Sequence, residues 1–146
     1  MIELYFDGAC EPINPGGTAS YGWVIKKDGK NLKTGYGVVG MGEDMTNNVA
    51  EYMGLIKGLE GYSKLHINEK LLISGDSSMV INMISGKWGW SKNKTKWNPH
   101  KKMPHLKKLL DKALFLLEKV DYETKWIPRE ENKETDALSK LMDQDM

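Results

Sequence analysis

The 146-residue chain has a single cysteine, Cys10, so no internal disulfide can staple it. One cysteine fits a reducing compartment, and the cytoplasm is the expected location. No apolar run approaches the roughly 20 residues that cross a bilayer. The opening MIELYFDG has neither the basic start nor the apolar stretch of a secretion signal, so no membrane association is expected. Internal repeats, low-complexity tracts and linker-like segments are also missing, which points to one domain over residues 1–146. Acidic residues are absent from Ser77 to Leu110, where Lys87, Lys92, Lys94, Lys96, Lys101, Lys102, Lys107 and Lys108 all fall. Those lysines carry +8 in a chain whose net charge is +1, leaving −7 for the remainder. A chain polarised in this way suits a polyanionic partner.

What is present reads as alternating strand and helix. Ile2, Leu4 and Phe6 alternate with Glu3, Tyr5 and Asp7, the period of a half-buried strand that should end at Asp7, before Gly8. Ala19–Lys27 and Leu32–Val39 read as further strands joined by the Asp28-Gly29 turn, which suggests an antiparallel meander. Pro12 to Gly17 reads as a loop. Thr46 is placed to cap a helix running to about Tyr62, with Val49, Met53 and Ile56 as its apolar stripe. Leu71–Ser74 reads as a strand, Ser77–Ile84 as a short helix, and Pro104–Lys119 as a longer one. The core face of that longer helix would be Leu106, Leu109, Leu110, Ala113, Leu114 and Leu117. Asp121–Ile127 reads as a strand stopped by Pro128, and Asn132 as the cap of a last helix that carries Asp136. A meander followed by alternating helix and strand is the pattern of an α/β fold, a mixed sheet with helices on its faces.

Four acids sit at the margins of these elements: Asp7, Glu51, Asp76 and Asp136. Each alone has an ordinary explanation in turn chemistry, helix capping or helix-dipole pairing. Together they differ, because strand ends in an open sheet form the crevice where ligands collect. Four carboxylates brought together repel one another unless a cation joins them. Hard divalent ions prefer such oxygen ligands, and a pair of them can hold the attacking and leaving oxygens of a phosphoryl displacement.

DGACEPINPGG, TNNVAEY, GDSSMVI and WIPREENKETDALS, in that order and spacing, resemble the segments of type 1 ribonuclease H, and most closely its archaeal-like branch. The likeness extends from Ile2 to about Met142. It implies a ribonuclease H-like fold, with a five-stranded mixed sheet of three antiparallel and then parallel strands, and helices on both faces. It also implies hydrolysis of the RNA strand of RNA/DNA hybrids, with Mg²⁺ or Mn²⁺ as cofactor and two ions present when substrate is bound. By position, Asp7, Glu51, Asp76 and Asp136 match the metal-binding and catalytic quartet. Gly8, Ala9, Cys10, Asn14, Asn47, Asn48 and Ser77 fall where the family meets the hybrid. The side-chain amides of Asn47 and Asn48 can both donate to and accept from base edges and 2′-hydroxyls, although helix-start chemistry accounts for Asn47 equally well.

Many bacterial members carry a histidine in the loop before the last acid; here that loop reads Pro128-Arg129-Glu130-Glu131-Asn132. Arg129 is the candidate to hold a phosphate or stabilise the leaving group, its alternative being a surface ion pair with Glu130 or Glu131. From Lys87 to Trp97 aromatics interleave with lysines, and Lys92, Lys94 and Lys96 are the expected phosphate contacts, the alternative being a solvated loop. No protein partner is evident, so a monomer is expected. Two other readings remain open: a nuclease of the same superfamily that acts on DNA, and a catalytically weak module that binds hybrids.

Overall fold

The computed structural model describes residues 1–87 and 104–141. Lys92, Lys94 and Lys96 therefore lie outside the described residues, as do Trp88, Trp90 and Trp97. Three long strands come first: β1 (Ile2–Glu11), β2 (Gly16–Lys27) and β3 (Lys30–Gly42). Helix α1 (Asn47–Ser63), β4 (Leu71–Gly75) and α2 (Ser78–Ile84) follow. Beyond residue 103 come α3 (Pro104–Leu117), β5 (Tyr122–Trp126), a 3₁₀ turn at Arg129–Glu131 and α4 (Lys133–Ser139).

The five strands form one sheet in the order β3-β2-β1-β4-β5. β1 pairs antiparallel with β2, and β2 with β3; β1 pairs parallel with β4, and β4 with β5. The β2–β3 hairpin turns at Asp28 and Gly29, whose φ angles of 52° and 82° are the left-handed values that a two-residue turn between twisted strands requires. The terminal ammonium of Met1 closes that end of the sheet with a 3.0 Å ion pair to Asp28.

Helices cover both faces, and adjacent residues of β2 show which covers which. A Cβ on Gly58 of α1 would fall 3.2 Å from the Trp23 Cβ, whereas a Cβ on Gly22 would meet Thr135, Leu138 and Ser139 of α4. Successive side chains of a strand point to opposite faces, so α1 and α4 lie on opposite sides. The core gathers Leu4, Phe6 and Ile25 from the strands with Tyr52, Leu55 and Leu59 of α1 and Leu106 and Leu110 of α3.

Several expectations need correction. β1 does not stop at Asp7; it continues to Glu11, which pairs with Thr18 of β2. Gly8 does not break the strand, because β2 holds both edges of the hairpin straight through it. What does end near Asp7 is the other side of the ladder, since the last residue of β4, Gly75, pairs with Phe6. Leu114, expected in the core face of α3, is 39% exposed, while Leu106, Leu110, Ala113 and Leu117 are buried as read. Thr46 does cap α1, its hydroxyl accepting the Val49 N–H at 3.2 Å. Asn132 begins α4 but makes no side-chain capping bond.

Candidate active site

The site forms where β1 runs on past its parallel neighbour. Asp7 pairs with Gly22, so its side chain shares the sheet face that Gly22 turns towards α4. Asp76 follows directly on the last residue of β4. Glu51 comes from the first turns of α1, on the opposite face, and reaches the same point because that helix lies unusually close to β1. A Cβ on Gly8 would fall 2.3 Å from the Ala50 carbonyl carbon and the Glu51 nitrogen, and one on Gly54 would fall 2.7 Å from the Asp7 oxygen. Only glycine permits this approach of backbone to backbone.

Asp7, Glu51 and Asp76 each place a carboxylate oxygen within 4.8 Å of the others. Asp7 and Glu51 are 3% and 7% exposed. Burial, followed by the Asp76 charge, pushes the Asp7 carboxyl up to about 7. Burial and then the charges of Asp7 and Asp76 push Glu51 well above the ordinary carboxylate range. Asp76 is also raised by burial, against the opposing pull of the Asn132 amide and the Arg129 guanidinium. The Gly8 N–H opposes the rise at both Asp7 and Glu51.

Asp136 faces the same cavity from α4 but stands outside that trio. Its Oδ1 lies 3.6 Å from Arg129 Nη2 and 3.8 Å from Lys140 Nζ, and Lys140 also approaches Glu11 at 3.8 Å. Arg129 thus pairs with a member of the quartet and not with Glu130 or Glu131. The cavity, of about 410 Å³, is lined by the four acids, by Gly8, Ala9, Cys10 and Asn47, and by Glu11, Trp126 and Arg129.

The other expected substrate contacts have structural work of their own. Asn47 Oδ1 accepts the Cys10 N–H at 2.9 Å, and Asn14 Oδ1 accepts the Asn47 N–H at 3.1 Å, so the two amides tie the end of β1 and the loop after it to the start of α1. The Cys10 thiol is buried and donates to the Ile13 carbonyl at 3.2 Å. Ser77 caps α2, its hydroxyl accepting the Val80 N–H at 3.3 Å. Asn14, Asn48 and Ser77 are not among the cavity's lining residues.

Three contributors went unread in the sequence. Asn132 is buried, donates from Nδ2 to the Phe6 carbonyl at 3.0 Å and faces Asp76, which fixes the loop before α4 against β1. Lys140 stands one turn beyond Asp136, a spacing that could have signalled an i, i+4 pair. Trp126, at the end of β5, hydrogen-bonds from Nε1 to the Asp76 carbonyl at 3.0 Å. Nothing in the sequence placed it beside the acids, because that depends on β5 lying next to β4.

The residues fit hard divalent cations. Every donor in the trio is a carboxylate oxygen, which is the ligand type such ions prefer. Glu51 Oε2 is buried without a hydrogen-bond partner, an arrangement that costs free energy unless something charged satisfies it.

Residues 5–142 match the family described as reverse transcriptase-like. The bifunctional protein Rv2228c of Mycobacterium tuberculosis is 37% identical over 97 residues; the match takes in 64% of this chain, which spans only 23% of that protein's length. A ribonuclease H of Thermoanaerobacter is 33% identical over 129 residues, covering 87% of this chain and 76% of its own. Among solved structures, the RNase H1 of the halophilic archaeon Halobacterium salinarum superposes with a TM-score of 0.78 at 30% identity over 98% of both chains. LC11-RNase H1, solved in complex with an RNA/DNA hybrid, superposes with a TM-score of 0.77 at 27% identity over 94% of this chain and 93% of its own. The sheet order, the converging carboxylates and these likenesses agree: the chain belongs to the type 1 ribonuclease H family.

Proposed function

We propose that this chain is a metal-dependent endoribonuclease that hydrolyses the RNA strand of RNA/DNA hybrids and leaves 5′-phosphate and 3′-hydroxyl ends. The observation that carries the reading is the meeting of Asp7, Glu51 and Asp76 in one cavity, with Asp136 at its rim. Support for the substrate comes from the hybrid held by LC11-RNase H1 and from the relatives named ribonuclease H.

Asp7, Glu51 and Asp76 would hold Mg²⁺ or Mn²⁺, with Asp136 completing the set. Two such ions, when bound, supply Lewis acidity to the scissile phosphate and lower the pKa of an attacking water. The chain's residues do the rest. Burial strips Asp7 and Glu51 of hydration, so a cation is what would offset their charge, and the Gly8 N–H favours their charged forms. The exposed Arg129 guanidinium, already beside Asp136, can hold a phosphate oxygen of the cleaved strand. Asn47 presents an amide at the cavity wall that can meet a 2′-hydroxyl in the minor groove. Lys92, Lys94 and Lys96 would supply phosphate contacts beyond the cavity.

The test is cleavage of matched RNA/DNA, RNA/RNA, DNA/DNA and single-stranded RNA substrates in Mg²⁺ or Mn²⁺, with Asp76→Asn alongside. The reading expects cutting confined to the RNA strand of the hybrid and lost in the variant. Hybrid binding without cutting would make the protein a binding module, and cutting of DNA would move it to another branch of the superfamily.

A further inference from the structure

Among the described residues, Trp126 is the only aromatic side chain lining the carboxylate cavity, and its exposure of 52% is high for so large an apolar group. β5 is an edge strand of the sheet that the described residues form. The one polar atom of the Trp126 ring is already satisfied, because Nε1 donates to the Asp76 carbonyl at 3.0 Å. An indole has no other donor and no acceptor, so what remains for a ligand is the flat π face. That face is held firmly. Trp126 pairs with Gly75 in the ladder, and the next residue, Ile127, donates its N–H to the Gly75 carbonyl at 2.9 Å. The indole is therefore hung on the same strand end that carries Asp76.

The surroundings define what such a face would take. The cavity wall is otherwise charged or polar, apart from Ala9, Cys10 and the glycine, and its five acids repel anions. A flat, uncharged attraction beside them suits the part of a nucleotide that carries no charge, the base or the face of its sugar. Building on the activity proposed above, we infer that Trp126 is a stacking platform for a nucleoside of the hybrid next to the phosphate that ions on the carboxylates would bind. It anchors the strand by a contact that does not depend on counterions, alongside lysine contacts that do.

Two substitutions separate stacking from the hydrogen bond to Asp76. Trp126→Phe keeps a flat ring but loses Nε1; Trp126→Leu loses both and keeps apolar bulk. Hybrid affinity is read by fluorescence anisotropy in Ca²⁺ over a range of salt concentrations, and cleavage is read in Mg²⁺ on the same preparations. Stacking expects Trp126→Leu to weaken binding by roughly tenfold with an unchanged slope of log affinity against log salt, and Trp126→Phe to bind within a few-fold of the parent. Wild-type affinity in both variants would overturn the inference. Equal loss in both would overturn it as well, and would make Trp126 a positioning residue acting through Asp76. Failure of the parent chain to cut the hybrid at all is a separate result, which removes the proposed activity and the platform with it.

Discussion

Removing charge from the centre of the site should make the metal-free protein more stable. Asp7 is raised from 3.8 to about 7 by burial and by its acidic neighbours. A carboxyl whose folded-state pKa lies above its unfolded value binds its proton more tightly in the folded state. Its contribution to stability is fully present below about pH 4 and is lost as pH rises through about 7. At about 1.4 kcal/mol for each pH unit separating the two values, the ceiling is about 4 kcal/mol. Asp7→Asn removes the titrating group and keeps the shape, at the cost of seating an amide among the remaining acids. In chelator at pH 8 we expect Asp7→Asn to exceed the parent by about 2 to 4 kcal/mol; near pH 4 the advantage should vanish. Urea denaturation followed by circular dichroism, repeated at intervals between these pH values, measures it. Added Mg²⁺ should narrow the gap by stabilising only the parent, because an ion that binds the folded state alone adds stability by mass action. An Asp7→Asn protein no more stable than the parent at pH 8 in chelator would refute the claim that these acids strain the empty site.

Other consequences can be checked with single substitutions. Arg129→Ala should lower turnover moderately while Asp7→Asn nearly abolishes it; equal losses in a cleavage assay would place Arg129 in the metal core or the fold. Gly54→Ala drives a methyl against the Asp7 carbonyl oxygen, 2.7 Å away, and should cost about 2 kcal/mol or more in urea denaturation, with weaker Mg²⁺ binding by titration calorimetry. Asn132→Leu removes the bond to the Phe6 carbonyl and leaves a buried acceptor unpaired, so a loss of about 1–3 kcal/mol is expected by the same denaturation assay. Changing Lys92, Lys94 and Lys96 together to glutamine should flatten the salt dependence of hybrid binding by up to about 3 units of log–log slope, and an unchanged slope would exclude them as phosphate contacts.

The parts of this protein legible in its sequence are those governed by local rules. The Asp28-Gly29 turn, the Thr46 cap and most of the apolar face of α3 each follow from chemistry within a few residues. Gly8 misled because it is a strand breaker by propensity, whereas here the close passage of α1 requires it. Gly54 and Gly58 carried no readable signal: a helix interior gives glycine no reason to be there, and only the sheet beneath shows that they form the contact surface. Asn132 has the right residue type and position for a cap, yet the Phe6 carbonyl from the far end of the chain claims its amide. Trp126 and the partners of Asp136 depend on which strands and helices end up adjacent. Four acids could be read as a set from their segments; that three close into a trio while Asp136 pairs with cations could not.

The glycine seam between β1 and α1 also decides how the site can change over time. Asp7 and Glu51 are spaced by main chain resting on main chain, so no choice of rotamer at neighbouring positions can widen the gap between their backbones. Local fraying cannot widen it either, because the two elements part only when the core opens, and amide protons along the seam should be among the slowest to exchange. A lineage adapting the proposed nuclease to another ion or another rate has little room there. Its freedom lies across the cavity, at Asp136, Arg129 and Lys140, where side chains meet at long range and can be exchanged without disturbing the scaffold.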